Sequence, residues 1–206
     1  MARLSVYVDG YNLYHRRLEG TAYKWLDLRA LANALAPGET VQRVRYFTTW
    51  AQPRGGDGKQ QQRQQVYIRA LRTIPRFSVT FGLFRERKKL LRTVLPPPDR
   101  VLVYKTEEKG SDVNLASYLL LDAFRNEYDS ALVVSNDADL KAPINIVRHE
   151  FSKKVIVAIP GTRKQIEKSA LPADTFVRIE KEHLKKSQFA ATFKDAFGTI
   201  TKPSSW

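Results

Sequence analysis

Cysteine is absent from all 206 residues, which excludes disulfides, thiolate zinc sites and a thiol nucleophile together. Histidine is scarce as well, and His15, His149 and His183 have no metal-ligand spacing. Missing too is any apolar run of the roughly 20 residues that a bilayer crossing needs. The opening "MARLSVYV" lacks the long apolar segment and small-residue cleavage site of a secretory leader. The expectation is a cytoplasmic protein with no membrane partner. Negative charge is the last deficit: 21 Asp plus Glu stand against 35 Lys plus Arg, a formal net charge of +14. The natural partner of such a surface is a polyanion such as RNA or DNA, because each phosphate contact releases a condensed counterion. The bland alternative is a simply basic protein.

What is present reads as an ordinary globular chain, 43% hydrophobic and 27% charged, long enough for one large core. Leu4 to Val8 alternates like a strand, and Val41 to Thr49 and Phe77 to Phe84 are two more strand candidates. Leu26 to Leu35 has helical spacing and stops at Pro37-Gly38. The run "RERKKLLRTVLPPPDR" at 85–100 looks like a basic insertion closed by prolines, which suit neither a helix interior nor a central strand. After Gly110 a helix is predicted, capped by Ser111, with Val113, Leu115, Ala116, Leu119, Leu120, Ala123 and Phe124 on its apolar face. A strand at 131–134, a helix near 140–150, a strand at 154–160, a short helix near 164–170 and an extended 175–179 follow. Alternation of this kind implies parallel βαβ units under helices on both faces. The domain is placed at 1–180, with 181–206 as a basic C-terminal extension.

In such sheets ligands sit beyond the carboxyl ends of the strands. Asp9 follows the first apolar strand, and Asp137 and Asp139 follow the one at 131–134. If those strands are neighbours, their terminal carboxylates share one cleft. Asp112, in the first turn of its helix, is a further source of oxygen. Crowded carboxylates repel one another, and Mg²⁺ or Mn²⁺ with its preference for oxygen ligands resolves the repulsion. Each acid also has a plain reading. Asp112 suits a helix dipole, Asp139 an N-cap, and Asp9 a turn before Gly10.

Three stretches carry a resemblance: "VYVDGYNLYH" at 6–15, "EEKGSDVNLASYLLLDAF" at 107–124 and "ALVVSNDADL" at 131–140. In order and spacing they resemble the NYN domain family, a branch of the PIN-like metal-dependent nucleases. "KVIVAIP" and "ALPADTFVRI" fit that family's final strands. The resemblance implies a Rossmann-like three-layer α/β/α sandwich with a mainly parallel sheet, and Mg²⁺- or Mn²⁺-dependent hydrolysis of RNA. It maps metal-binding, catalytic acids onto Asp9, Asp112, Asp137 and Asp139, with Asn12 and Ser135 as supporting polar groups. Proteins of this fold often pair, so a homodimer is a further expectation. One departure stands out: many relatives carry another acid six positions after the one matching Asp112, and here Tyr118 occupies that place. Asp122, one turn on, reads equally as a ligand or as a solvent-facing residue.

For contact with RNA the candidates are Arg54, Lys59 and Arg63 in and after the glycine-rich loop, and Arg85, Arg87, Lys88, Lys89 and Arg92 in the basic run. Lys109, beside Gly110, is a phosphate contact or a surface lysine. Tyr11 and Tyr14 are candidates for base stacking or for rim packing, and His15 for proton transfer or a surface role. "GGDGKQ" is no phosphate-binding P-loop, since Gln60 stands where Ser or Thr is required. A haloacid-dehalogenase-type phosphatase or a glycosyltransferase accounts for Asp137 and Asp139 but leaves the other motifs unused. The stronger rival is a non-catalytic RNA-binding or scaffold protein that keeps the fold.

Overall fold

The computed structural model describes residues 1–52, 58–95, 97–161 and 171–206. Its first half contains β1 (Ala2–Asp9), α1 (Gly10–Leu13) continuing as a π-helical turn through Leu18, α2 (Leu28–Leu35), β2 (Glu39–Thr48), α3 (Gln60–Leu71) and β3 (Phe77–Phe81). Then come β4 (Leu83–Arg92), β5 (Arg100–Lys109), α4 (Ser111–Phe124), β6 (Ser130–Val134), a 3₁₀ turn (Ala138–Leu140), α5 (Lys141–His149), β7 (Lys154–Ile159) and β8 (Thr175–Arg178). The C-terminal part forms α6 (Lys181–Lys186), β9 (Thr192–Asp195) and β10 (Gly198–Thr201). The short helix predicted near 164–170 lies outside the described residues.

Six strands form the central sheet in the order β3-β2-β1-β6-β7-β8, and each neighbouring pair is parallel. β1 is buried from Leu4 to Asp9 without interruption, as befits a strand covered on both faces. Its pleat divides the side chains between two cores. Leu4, Val6 and Val8 join Leu132, Val134, Ile156 and Ala158 under α2 and α3. Tyr7 joins Ala131, Val133, Val155 and Val157 under α4 and α5. Two separate cores on one sheet make the three-layer α/β/α sandwich, and each Val or Leu buried in either contributes about 1.5–3 kcal/mol.

Three local expectations change. Val113 and Phe124 are not on the buried face of α4: they are 69% and 74% exposed. The buried stripe runs through Ser111, Leu115, Leu119 and Asp122, a spacing of four, four and three residues. Ser111 is not the cap either, because Gly110 takes that position in a left-handed conformation, with φ 99°. The Glu108 carboxylate instead accepts from the Ser111 amide (3.2 Å) and hydroxyl (2.7 Å). Lastly, the basic 85–100 run supplies most of β4, one strand of an antiparallel two-stranded ribbon with β5, in register from Leu83 opposite Lys109 to Arg92 opposite Arg100.

Residues 181–206 return to the α2–α3 face. Leu184, Ile200 and Trp206 pack there around Trp25, which is fully buried. The Trp25 indole donates to the Ala190 carbonyl at 2.9 Å, and Arg69 of α3 pairs with Asp195.

Candidate functional site

The strand order reverses direction between β1 and β6: from β1 the chain builds outward through β2 and β3, and the later strands add on the other side. Such a switch point opens a crevice at the carboxyl ends of the two strands. Val8 is opposite Val134 in the ladder, so Asp9 and Ser135 leave adjacent strand ends side by side. The Ser135 hydroxyl donates to Asp9 Oδ2 at 2.9 Å and accepts from the Asp137 amide at 3.1 Å. Asp9 Oδ1 accepts from the Asn12 amide at 2.9 Å, which makes Asp9 the cap of α1. Asn12 Nδ2 donates to Asn136 Oδ1 at 2.8 Å, while the buried Asn12 Oδ1 finds no partner among the described residues. Asp137, rather than Asp139, caps the 3₁₀ turn by accepting from the Asp139 amide at 2.9 Å, and Asp139 is exposed.

The electrostatics tie Asp112 to this corner. Its carboxyl is pushed up to about 7, first by burial and then by repulsion from Asp9, Asp137, Glu108 and Asp139. Burial also raises Asp9, to about 6, against the lowering effect of the Asn12 and Ser135 hydrogen bonds, with Asp137 and Glu108 repelling it. The acids expected to act together thus sit within one another's field. Glu108 joins them, a residue quoted within the sequence motif but not singled out there. The signal that would have found it is its place three residues before Ser111, which suits a carboxylate facing a helix start.

The donor set, all oxygen with an unsatisfied amide oxygen at its rim, suits a hard divalent cation. As they stand, no three acidic or histidine side chains among the described residues converge closely enough to ligate one ion. Mutual repulsion of uncompensated carboxylates works against that convergence.

Asp122 is not a solvent-facing residue: it is fully buried, and it bonds elsewhere. It accepts from the Tyr7 hydroxyl at 2.7 Å and from the Arg45 guanidinium at 2.7 and 2.8 Å, with Arg43 at 3.5 Å. The helical spacing from Leu115 and Leu119 carried that signal. Tyr118 lies under the Arg45 guanidinium at 4.4 Å and beside Phe47. The position at which many relatives carry another acid is therefore taken up by packing over an arginine.

Beside Asp9 opens a cleft of about 340 Å³, bordered by Tyr11, Tyr14, Tyr46, Tyr67, Phe84 and Trp206. Gly10 joins the two features. A Cβ there would stand 2.5 Å from the Tyr46 ring, so only glycine lets that ring lie against the start of α1. His15 also borders the cleft and pairs with Glu19 at 2.9 Å.

The cationic candidates separate. Arg63 borders the cleft, Lys59 stands exposed at the start of α3, and Arg54 lies outside the described residues. Arg87 and Lys109 both pair with Glu107, at 3.0 and 3.4 Å. Arg85, Lys88, Lys89 and Arg92 are exposed on β4.

A parallel sheet between two helical layers, with acids at its switch point, defines a PIN-like α/β protein. Within that class, the NYN domain model matches residues 3–180, and the chain belongs to the NYN domain family. It is 29% identical over 218 residues to the 6-hydroxy-3-succinoylpyridine 3-monooxygenase HspA of Pseudomonas putida, across 92% of this chain and 69% of that protein. In fold it is similar to a protein of unknown function from Vibrio parahaemolyticus, with a TM-score of 0.52 at 19% identity over 88% of this chain and 94% of the other. Among the described residues no helix is long and apolar enough to cross a membrane.

Proposed function

We propose that the protein is a metal-dependent ribonuclease, hydrolysing RNA phosphodiester bonds with Mg²⁺ or Mn²⁺ held by Asp9, Asp112, Asp137 and Asp139. The observation that carries this reading is the Asp112 carboxyl beside Asp9, Asp137, Glu108 and Asp139, raised to about 7 first by burial and then by their repulsion, in a basic protein. A hard dication relieves that repulsion, and when bound it supplies the charge that activates water and neutralises a phosphoryl oxygen. The chain's own residues do the positioning. The Asn12 amide and Ser135 hydroxyl fix both oxygens of Asp9, and Ser135 couples it to Asp137. Cations around the acidic corner hold the polyanion. The test is cleavage of a labelled single-stranded RNA in Mn²⁺, Mg²⁺ or EDTA, wild type against Asp137→Asn. Metal-dependent cleavage lost in the variant supports the reading. Intact RNA bound tightly by both proteins refutes it in favour of a binding or scaffold protein.

A second reading is favoured by the cleft together with the name of the Pseudomonas putida relative. About 340 Å³ lined by aromatic rings is within the range of small-molecule sites. In that reading the cleft takes a substituted pyridine for ring hydroxylation. Incubating the protein with a hydroxypyridine, dioxygen and a reductant tests it: hydroxylated product supports this reading and displaces the nuclease.

A further inference from the structure

The β4–β5 ribbon has two unlike faces, and only one leads to the acidic corner. In an antiparallel ladder the residues directly opposite share a face, and alternate pairs point to opposite sides. One face therefore holds the pairs Phe84/Glu108, Glu86/Thr106, Lys88/Tyr104, Leu90/Leu102 and Arg92/Arg100. The other holds Leu83/Lys109, Arg85/Glu107, Arg87/Lys105, Lys89/Val103 and Leu91/Val101. On that second face Glu107 already pairs with Arg87, Lys105 and Lys109. The first face begins inside the site: Phe84 borders the cleft and packs against Tyr11 at 6.5 Å, and Glu108 accepts from the Ser111 hydroxyl at the start of α4, just before Asp112. From Phe84 to Arg92 it runs outward over eight residue steps, about 27 Å of strand.

We propose that this face is the track along which single-stranded RNA leaves the acidic corner, with Tyr104 stacking on a base and Lys88, Arg92 and Arg100 meeting phosphates. The inference rests on the ribonuclease reading and names the form of its substrate. Tyr104 is 68% exposed, and Lys88 Nζ lies 5.6 Å from its ring centre. An open aromatic face beside a cation is the pairing that grips a base and its phosphate without reading sequence. Leu90 and Leu102, 54% and 65% exposed, extend the apolar platform toward the cationic end. Its three cations, Lys88, Arg92 and Arg100, gather toward the tip and its acids, Glu86 and Glu108, toward the cleft, so the outer part of the face matches a polyanion. A two-stranded ribbon is marginal alone, which also favours an ordering partner.

The test uses the Asp137→Asn protein, in which binding is read without turnover, and anisotropy of a short labelled single-stranded RNA. Tyr104→Ala is expected to weaken binding at least about fivefold, the lower end for a stacked aromatic, with Tyr104→Phe within about twofold of the parent. Lys88→Gln with Arg92→Gln and Arg100→Gln is expected to lower the slope of log K against log salt by about 2. Lys105→Gln, on the opposite face, is expected to change binding less than about twofold. Parent-like binding by Tyr104→Ala overturns the proposal, as does equal loss from both faces. A dimer in sedimentation that Leu90→Ser dissociates also overturns it, by assigning the face to a second copy. The two readings fail separately: wild-type cleavage with ribbon-independent binding sinks only the track, whereas ribbon-dependent binding without cleavage sinks only the nuclease.

Discussion

Asp112→Asn is expected to stabilise the protein while abolishing cleavage. Two effects of opposite sign meet at this residue. As an acid in the first turn of α4 it gains about 0.3–1 kcal/mol from the helix dipole. Against this, burial and four neighbouring acids lift its carboxyl from an ordinary 3.8 to about 7. Undiscounted, that change is worth about 4 kcal/mol, and because the group is only half-buried, solvent screening reduces it to about 1–2 kcal/mol. The net effect already includes the dipole, and it favours the neutral side chain. In a chain of 206 residues 1 kcal/mol moves Tm by about 2–4 °C.

The sign follows from linkage. A carboxyl raised in the folded state contributes its stability below the unfolded value, and that contribution is lost as the pH climbs through the folded value. The variant and the wild type should therefore melt together near pH 4 and separate between pH 4 and 7. By pH 8, in EDTA, the variant should be the more stable by about 2–8 °C. Differential scanning fluorimetry across that range reads the gap directly. Mn²⁺ should then narrow it by stabilising only the protein that keeps its ligand. A variant that melts at or below the wild type at pH 8 would refute the reasoning: Asp112 would be a helix-terminus acid held by the dipole, and the repulsive corner would not exist in solution.

Asp122→Asn is expected to cost about 3–5 kcal/mol in urea denaturation, because it strips the charge that balances Arg45 and Arg43 and leaves Tyr7 with a weaker acceptor. A loss below about 1 kcal/mol would mean that water already screens the network. Gly10→Ala is expected to cost about 1–3 kcal/mol by driving a methyl into the Tyr46 ring, and Tyr46→Leu in the same chain should recover part of it. If the Ala variant unfolds at the wild-type urea midpoint, the close approach of the Tyr46 ring to Gly10 is wrong.

How much of this was legible in the sequence depended on how local each signal is. The parallel strands were readable because β-branched runs such as 131–134 fill both cores at once. Asp9 and Asp137 were readable because each ends such a run, where the backbone leaves the sheet. The ribbon was not. Both of its faces meet solvent along most of their length, so its strands carry no apolar alternation, and a basic run looks the same as loop or strand. Asp122 was misread for a different reason. Its helical spacing pointed inward, but a carboxylate is buried only with partners, and Arg45 is 77 residues away. Periodicity fixes a face, and only the fold says what waits there.

The distribution of charge then separates the two kinds of buried acid. Asp122 is as buried as any side chain in the protein, yet guanidinium groups and the Tyr7 hydroxyl satisfy it on the sheet's α4 face. Asp9 sits at the end of β1 and Asp112 in the first turn of α4, each in the field of other acids, in a chain whose basic residues outnumber its acids by 14. Structural acids in this protein are given arginines: Asp129 has Arg3, Asp174 has Arg148 and Asp195 has Arg69. Among the described residues no such ion pair is recorded for Asp9, Asp112, Asp137 or Asp139. On the ribonuclease proposal, a corner left in mutual repulsion is a place kept for a bound cation. The repulsion between Asp9 and Asp112 is then stability given up for a site, and the ribbon's cationic face is the part proposed to meet the polyanion.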